Sequence, residues 1–259
     1  MYKKEAKKYN IEYISAIDAT FYNKMCDTSY KTILVALFPY FAGENKNSNL
    51  SKYCQSLDYH KVCTNIMDKI LKGCNFKDYK IFCDTGLLID RMVAHDASLG
   101  FFGKNSMLIN EKYGSYFFIA YALLNEDLEK TKNTDTKTCI GCNKCIQSCP
   151  GGAIESSGKV NIDKCLSHIT QKKGELTDKE QSLIKKGGLI FGCDVCQDVC
   201  PHNKNVQKTK IDAFLQNRIE KLSLCDIEGL SNKEFKEKFG DYAFSWRGKK
   251  VLERNLKLL

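Results

Sequence analysis

Proline is nearly absent from this chain, 3 in 259 residues, and no apolar run is long enough to span a bilayer. The longest runs, Ile33–Phe38 and Phe117–Leu124, have the length of strands. Nothing apolar follows the lysines of the opening MYKKEAKKYN, so no signal peptide is expected. Repeats of the solenoid kind are missing as well. With 43% hydrophobic and 27% charged residues, these absences point to a folded globular protein, soluble and cytoplasmic, with no membrane partner. The length admits one large domain or two smaller ones.

Cysteine is abundant instead, at 14 residues. Cys139, Cys142, Cys145 and Cys149, closed by Pro150, form C-x2-C-x2-C-x3-C-P. In such a loop three cysteines hold one [4Fe–4S] cluster and the fourth reaches a neighbouring one. Cys193, Cys196, Cys200 and Pro201 repeat the theme as C-x2-C-x3-C-P. Two cubes need eight thiolates and the two motifs supply seven, so Cys165, between them, is the expected eighth. Crossed ligation then assigns Cys139, Cys142, Cys145 and Cys200 to one cluster, and Cys149, Cys165, Cys193 and Cys196 to the other. Zinc also takes paired C-x2-C ligands, but it does not call for a third cysteine or the closing Cys-Pro. Thiolate ligands require a reducing compartment, which again excludes a disulfide scaffold. Cys26, Cys54, Cys63, Cys74, Cys83 and Cys225 show no ligand spacing and are expected to pack as small apolar residues.

The formal charge is +9. Two oxidised clusters at roughly −2 each would bring it to about +5. That excess suits a polyanionic partner; solvated lysine-rich faces are the alternative.

Along the chain, Lys31–Phe38 reads as a buried strand ending at Pro39, and residues 43–50 as a polar loop. His60–Leu71 has helical spacing, and Tyr79–Cys83 is a short strand that delivers Asp84, Thr85 and Gly86. A helix is expected over Leu87–Leu99, stopped by Gly100, followed by strands at Ser106–Ile109 and Ser115–Leu124. Residues 125–137 read as a linker, Leu176–Lys186 as a helix between the cluster loops, and Asn232–Phe239 as a helix before a basic end at Arg247–Lys257. The expected fold class is α+β. An N-terminal α/β domain (1–125) precedes a ferredoxin-like two-cluster module (126–210) and a C-terminal helical tail (211–259).

A ferredoxin needs only the cluster module. The remaining motifs come in order: Lys52-Tyr53, Asp58-Tyr59-His60-Lys61, CDTG at Cys83–Gly86, GFFGKNSMLI at Gly100–Ile109 and GSYFFIA at Gly114–Ala120. Cys165-Leu166-Ser167, ITQKKG at Ile169–Gly174 and GCDVCQDVCPHN at Gly192–Asn203 follow. This set, from about Ile33 to Asn205, resembles the cobalamin-dependent epoxyqueuosine reductases, relatives of the corrinoid reductive dehalogenases. The last block is the most specific, because a plain ferredoxin has no need of Asp194 and Gln197.

The resemblance implies an oxidoreductase that reduces epoxyqueuosine to queuosine at the wobble position, 34, of tRNA. It implies a nitroreductase/reductive-dehalogenase-like domain holding cobalamin, fed by the two clusters from an external low-potential electron donor. By motif position Asp84 is the candidate proton donor, with a pKa raised by burial, and Asp90 is its alternative. Tyr59, Asp84, Asn105, Ser106, Ser167 and Asp194 are the implied cobalamin contacts. Asp58-x-His60 begins like the histidine-ligating D-x-H-x-x-G signature, but Cys63 stands where glycine is needed, so His60 is read as a structural or supporting group. Longer family members continue into a helical-repeat domain that helps hold tRNA, and this chain is read as the short form. Lys172, Lys173, Arg247, Lys249 and Lys250 are therefore expected to carry RNA affinity, with aromatic side chains stacking on an extruded base. A small-molecule corrinoid reductase of the dehalogenase kind and a two-cluster electron carrier are the competing functions.

Overall fold

The apolar run after Lys31 is buried from Thr32 to Phe38 because it lies between two layers of helices. In the computed structural model, which describes residues 1–45, 47–132 and 137–259, it forms β2 (Thr32–Pro39). The four-stranded sheet has the order β1 (Ile14–Asp18), β2, β6 (Phe117–Leu124), β3 (Tyr79–Cys83), with every ladder antiparallel. Alternation sorts the side chains of the central pair. Leu34, Ala36, Phe38, Phe118, Ala120 and Ala122 face one core, and Ile33, Val35, Leu37, Ile119, Tyr121 and Leu123 face the other.

The first face is covered by α1 (Tyr2–Lys7) and α3 (Tyr59–Gly73). On α3, Cys63, Met67, Ile70 and Leu71 form the buried stripe, while Val62 and Ile66, expected in it from their spacing, are only partly buried. Each fully buried apolar side chain of this size contributes about 1.5–3 kcal/mol. The second face packs under α2 (Thr20–Cys26) and α4 (Asp90–Asp96). α1, α2 and β1 carry no clear sequence signature, being short and mixed in polarity.

Two expectations are corrected here. The helix predicted over Leu87–Leu99 is shorter, since α4 starts at Asp90. The backbone before it is already engaged: Leu88 N–H donates to the Tyr121 hydroxyl at 2.9 Å, and a Cβ on Gly86 would lie 2.2 Å from that same oxygen. The strand predicted at Ser106–Ile109 is only β5 (Leu108–Ile109). It pairs with β4 (Phe101–Phe102) in a separate hairpin, because Gly103 N–H bonds Met107 O at 2.9 Å and closes a tight turn.

The segment expected as a linker, 125–137, lies partly outside the described residues. What is described runs beside the sheet, with Thr131 N–H donating to Ala16 O at 2.7 Å. The cluster loops carry α5 (Lys144–Ser148), α6 (Leu166–Gln171), α7 (Asp178–Gly187) and α8 (Val195–Asp198), with a small core of Leu166, Ile169, Leu176 and Ile184. α9 (Asp212–Leu215) returns Phe214 to the first core against Phe118. α10 (Asn232–Phe239) and α11 (Lys249–Leu256) build a further core with Leu50, Cys54, Ile190 and Phe191. The C-terminal residues are thus packed on both the sheet domain and the cluster module. Among the described residues no helix is long and apolar enough to cross a membrane.

Candidate functional site

Asp84 follows directly on β3 and sits at φ 63°, a left-handed conformation that a non-glycine residue adopts only when its surroundings hold it there. Its N–H donates to Asp90 Oδ2, at the start of α4, across 2.7 Å. Its Oδ2 accepts the Tyr59 hydroxyl at 2.7 Å and lies 3.4 Å from His60 Nε2. Both partners stand at the N-terminus of α3, which Asp58 caps by accepting His60 N–H at 3.1 Å. The same Asp58 Oδ1 lies 2.8 Å from His60 Nδ1, so the imidazole is gripped at both nitrogens by carboxylates.

That grip sets the charges. Hydrogen bonding to Asp58 and then to Asp84 raises the His60 pKa to about 10, so the ring is cationic at neutral pH. The His60 bond, followed by the Tyr59 bond, holds the Asp84 carboxyl below its ordinary range against the opposing effect of burial. The raised Asp84 pKa anticipated from burial is therefore corrected. Burial instead raises the neighbour, Asp90, to about 6. Asp90 Oδ1 is buried with no hydrogen-bond partner among the described residues. Burial and the adjacent Asp84 push the Tyr59 phenol upward, and its ring stacks on Phe118 at 4.1 Å.

Asp84, Tyr59 and Asp90 line a cleft of about 740 Å³ that Cys149, Cys165, Cys193 and Cys196 also line. Cys139, Cys142, Cys145 and Cys200 ring a second, separate space beside the Gly103–Asn105 turn. The last cysteine of each motif thus sits with the other motif. Among the described residues no three His, Cys, Asp or Glu side chains converge as for a single metal ion. The two quartets line different cavities.

Of the other expected contacts, Tyr59, Asn105, Ser106 and Ser167 line the cleft. Asn105 Nδ2 donates to Cys196 O at 3.3 Å, and Ser106, itself left-handed at φ 60°, donates to Gly158 O at 2.7 Å. Asp194 does not line the cleft. It is 5% exposed, accepting the Ser51 hydroxyl at 2.6 Å and Lys52 N–H at 2.7 Å. Gln197 accepts the Ser115 hydroxyl at 2.9 Å, and Asp198 accepts Tyr116 at 2.5 Å. Asn203 accepts Ser115 N–H at 2.7 Å. These four residues dock the second cysteine loop on the sheet domain, which is why a free-standing ferredoxin has no use for them.

Sequence reasoning missed Arg91, Phe118, Ile89 and Ile162 as cleft residues. Phe118 is derivable from strand alternation, whereas Arg91 carries no local signal. Ile89 and Ile162 are 65% and 60% exposed and give the cleft an apolar rim. A large flat ligand of mixed polarity fits such walls: aromatic and aliphatic faces, amide and hydroxyl groups at Asn105, Ser106 and Ser167, and a carboxylate group at one end.

A sheet domain whose cleft is walled by one of two groups of four cysteines defines a two-centre iron–sulfur redox protein. Residues 138–203 match the 4Fe-4S double cluster binding domain family, and two [4Fe–4S] clusters are its cofactors. The chain is 37% identical over 222 residues to the epoxyqueuosine reductase of Lactococcus garvieae, covering 82% of this chain and 61% of that protein. The structure of epoxyqueuosine reductase from Streptococcus thermophilus superposes with a TM-score of 0.83 and 30% identity, covering 99% of this chain and 79% of that one. An epoxyqueuosine reductase solved with an epoxyqueuosine-modified tRNA-Tyr stem loop matches at TM-score 0.80 and 27% identity, with the same coverage. A catabolic reductive dehalogenase shares the fold at TM-score 0.53 and 13% identity, over 99% of this chain and 35% of its own. The chain belongs to the epoxyqueuosine reductase family. It spans about three fifths of the length of the Lactococcus garvieae relative and about half that of the Staphylococcus aureus one.

Proposed function

We propose that this chain reduces epoxyqueuosine to queuosine at the wobble position of tRNA, in the cytoplasm where that RNA is made. The observation that carries the proposal is the proton-bearing Tyr59–His60–Asp84 group at the cleft that Cys149, Cys165, Cys193 and Cys196 also line. The reaction removes the epoxide oxygen as water: two electrons and two protons convert the C–O–C ring to a C=C bond.

The two quartets are proposed to hold one [4Fe–4S] cluster each, with the Cys149 quartet beside the cleft. Cys142 is exposed, so an external low-potential donor would reach the Cys139 quartet first. Cobalamin, held between Tyr59, Asn105, Ser106 and Ser167, supplies when bound the low-potential chemistry that opens the C–O bond. The chain's own residues position the reactants and manage the protons. Tyr59 and cationic His60 both present a hydrogen to Asp84 Oδ2, and Asp84 passes a proton to the departing oxygen. A ligand filling the cleft strips water from Asp84 and works against the depression His60 imposes, favouring the protonated acid. Asp90, with a pKa near 6, holds the Asp84 backbone in its strained conformation.

The test is anaerobic reconstitution with iron, sulfide and cobalamin, followed by assay on tRNA bearing epoxyqueuosine. Conversion to queuosine is expected. Failure to retain cobalamin would remove every corrinoid reading, and retention without conversion would favour a small-molecule reductase.

A further inference from the structure

A second cavity, about 650 Å³, lies away from the cysteine loops, between the residues after α6 and the segment from α10 into α11. Its basic lining is Lys173, Lys236, Arg247, Lys249 and Lys250, against a single acid, Asp58, which is already bound to His60. Lys173, Lys236 and Lys250 are exposed. Arg247 Nε is buried without a hydrogen-bond partner among the described residues. The Arg247 guanidinium lies 3.5 Å over the ring of Trp246, which is 60% exposed. An exposed indole carrying a guanidinium, set among lysines, matches what unpaired nucleotides require: a stacking platform and cations for the phosphates.

The cavity is tied to the catalytic cleft on two sides. Asp58 lines it, and the next residue, Tyr59, lines the cleft. On the other side Trp246 Nε1 donates to Gln171 Oε1 at 3.2 Å, and Gln171 Nε2 donates to Ser167 O at 3.0 Å, with Ser167 lining the cleft. Arg254 fixes the intervening loop through Lys172 O and Gly174 O at 2.8 and 2.6 Å. The cavity and the cleft thus adjoin through the Asp58–Tyr59 peptide and through the Gln171 side chain.

We infer that the cavity built on Trp246, Arg247, Lys173, Lys236 and Lys250 is a single-stranded RNA site that holds anticodon-loop nucleotides next to the base entering the cleft, an inference that rests on tRNA being the substrate. Trp246 stacks on one base, and the lysines neutralise phosphates on either side.

The experiment titrates the reconstituted full chain with a fluorescein-labelled tRNA anticodon stem-loop at several salt concentrations, for the wild type, Trp246→Ala, Trp246→Phe and Lys173→Ala/Lys236→Ala/Lys250→Ala. The triple variant should flatten the dependence of log affinity on log salt by about 2, at about 0.7 for each phosphate that is no longer neutralised. Trp246→Ala should weaken binding by about tenfold or more, with Trp246→Phe close to wild type. Iron content and melting temperature, read in parallel, should be unchanged. Wild-type turnover of modified tRNA with binding unaltered in all variants would overturn the cavity assignment and leave the substrate standing. Salt-dependent binding that the variants abolish, without turnover by the wild type, would sustain the cavity and remove the substrate. Absence of wild-type binding would overturn the cavity assignment outright.

Discussion

The Tyr59 hydroxyl donates to Asp84 Oδ2 across 2.7 Å, joining the first turn of α3 to the residue that follows β3. Tyr59 is fixed by stacking on Phe118 of β6, so the hydrogen bond registers the carboxylate against the sheet itself. Asp84→Asn keeps the side-chain shape and the oxygen acceptor but has no carboxyl proton to give. Turnover of epoxyqueuosine should fall by about a hundredfold or more, while cobalamin retention and iron content stay at wild-type levels. Single-turnover kinetics with both cofactors quantified would check this, and normal activity would remove Asp84 as the proton donor.

Asp90 offers a stability test with a definite sign. Its pKa rises from 3.8 to about 6 on folding, so between those values the folded chain holds a proton that the unfolded chain has lost. Stability from this group therefore falls as pH rises from about 4 to about 6, and the cost persists above. Asp90→Asn removes the charge and retains an acceptor for Asp84 N–H. The variant should be more stable than wild type at pH 8 by on the order of 1–3 kcal/mol, with the gap narrowing below about pH 6 and closing towards about pH 4. Anaerobic melts across that range would show a pH-independent difference if the carboxyl is not perturbed. His60 acts in the opposite range: its raised pKa contributes stability below about pH 6.5 that is lost as pH passes about 10.

Removing Asp194 leaves the Ser51 hydroxyl and Lys52 N–H without their acceptor at a buried junction. Asp194→Ala should cost about 2–4 kcal/mol and lower the melting temperature. The Cys193–Cys196 loop hangs from this junction, so the cluster beside the cleft should become labile to air and chelators before the other one. Equal lability of both clusters would show that Asp194 does not anchor the loop.

Cys165 is the one proposed ligand outside both motifs. Cys165→Ala should lower iron from about eight atoms per chain towards about four, whereas exposed Cys225→Ala should leave about eight. Two intact clusters in the Cys165 variant would end its assignment.

Much of the site was legible in short-range pattern. Spacing marked the two cysteine motifs and called for an eighth ligand, for which Cys165, lying between them, is the candidate. Unbroken apolar runs in Lys31–Phe38 and Ser115–Leu124 predicted both central strands, since a sheet covered on two faces leaves no polar positions. The helix over 87–99 was misjudged because its first residues are committed to Tyr121 of a strand more than thirty positions away. Asp194 stood out as foreign to a ferredoxin and was expected to touch cobalamin, but its partners are Ser51 and Lys52, some 140 residues upstream, which no local pattern reveals.

The sequence by itself determined the two-cluster composition of the module, because cluster ligation follows local cysteine spacing. Tertiary structure alone decided which quartet shares a cleft with Asp84, and which carboxylate there is ionised. Those properties depend on dehydration and on charges brought together from α3, β3 and α4. A pKa is set by what surrounds a group in space, and that neighbourhood exists only once the chain has closed.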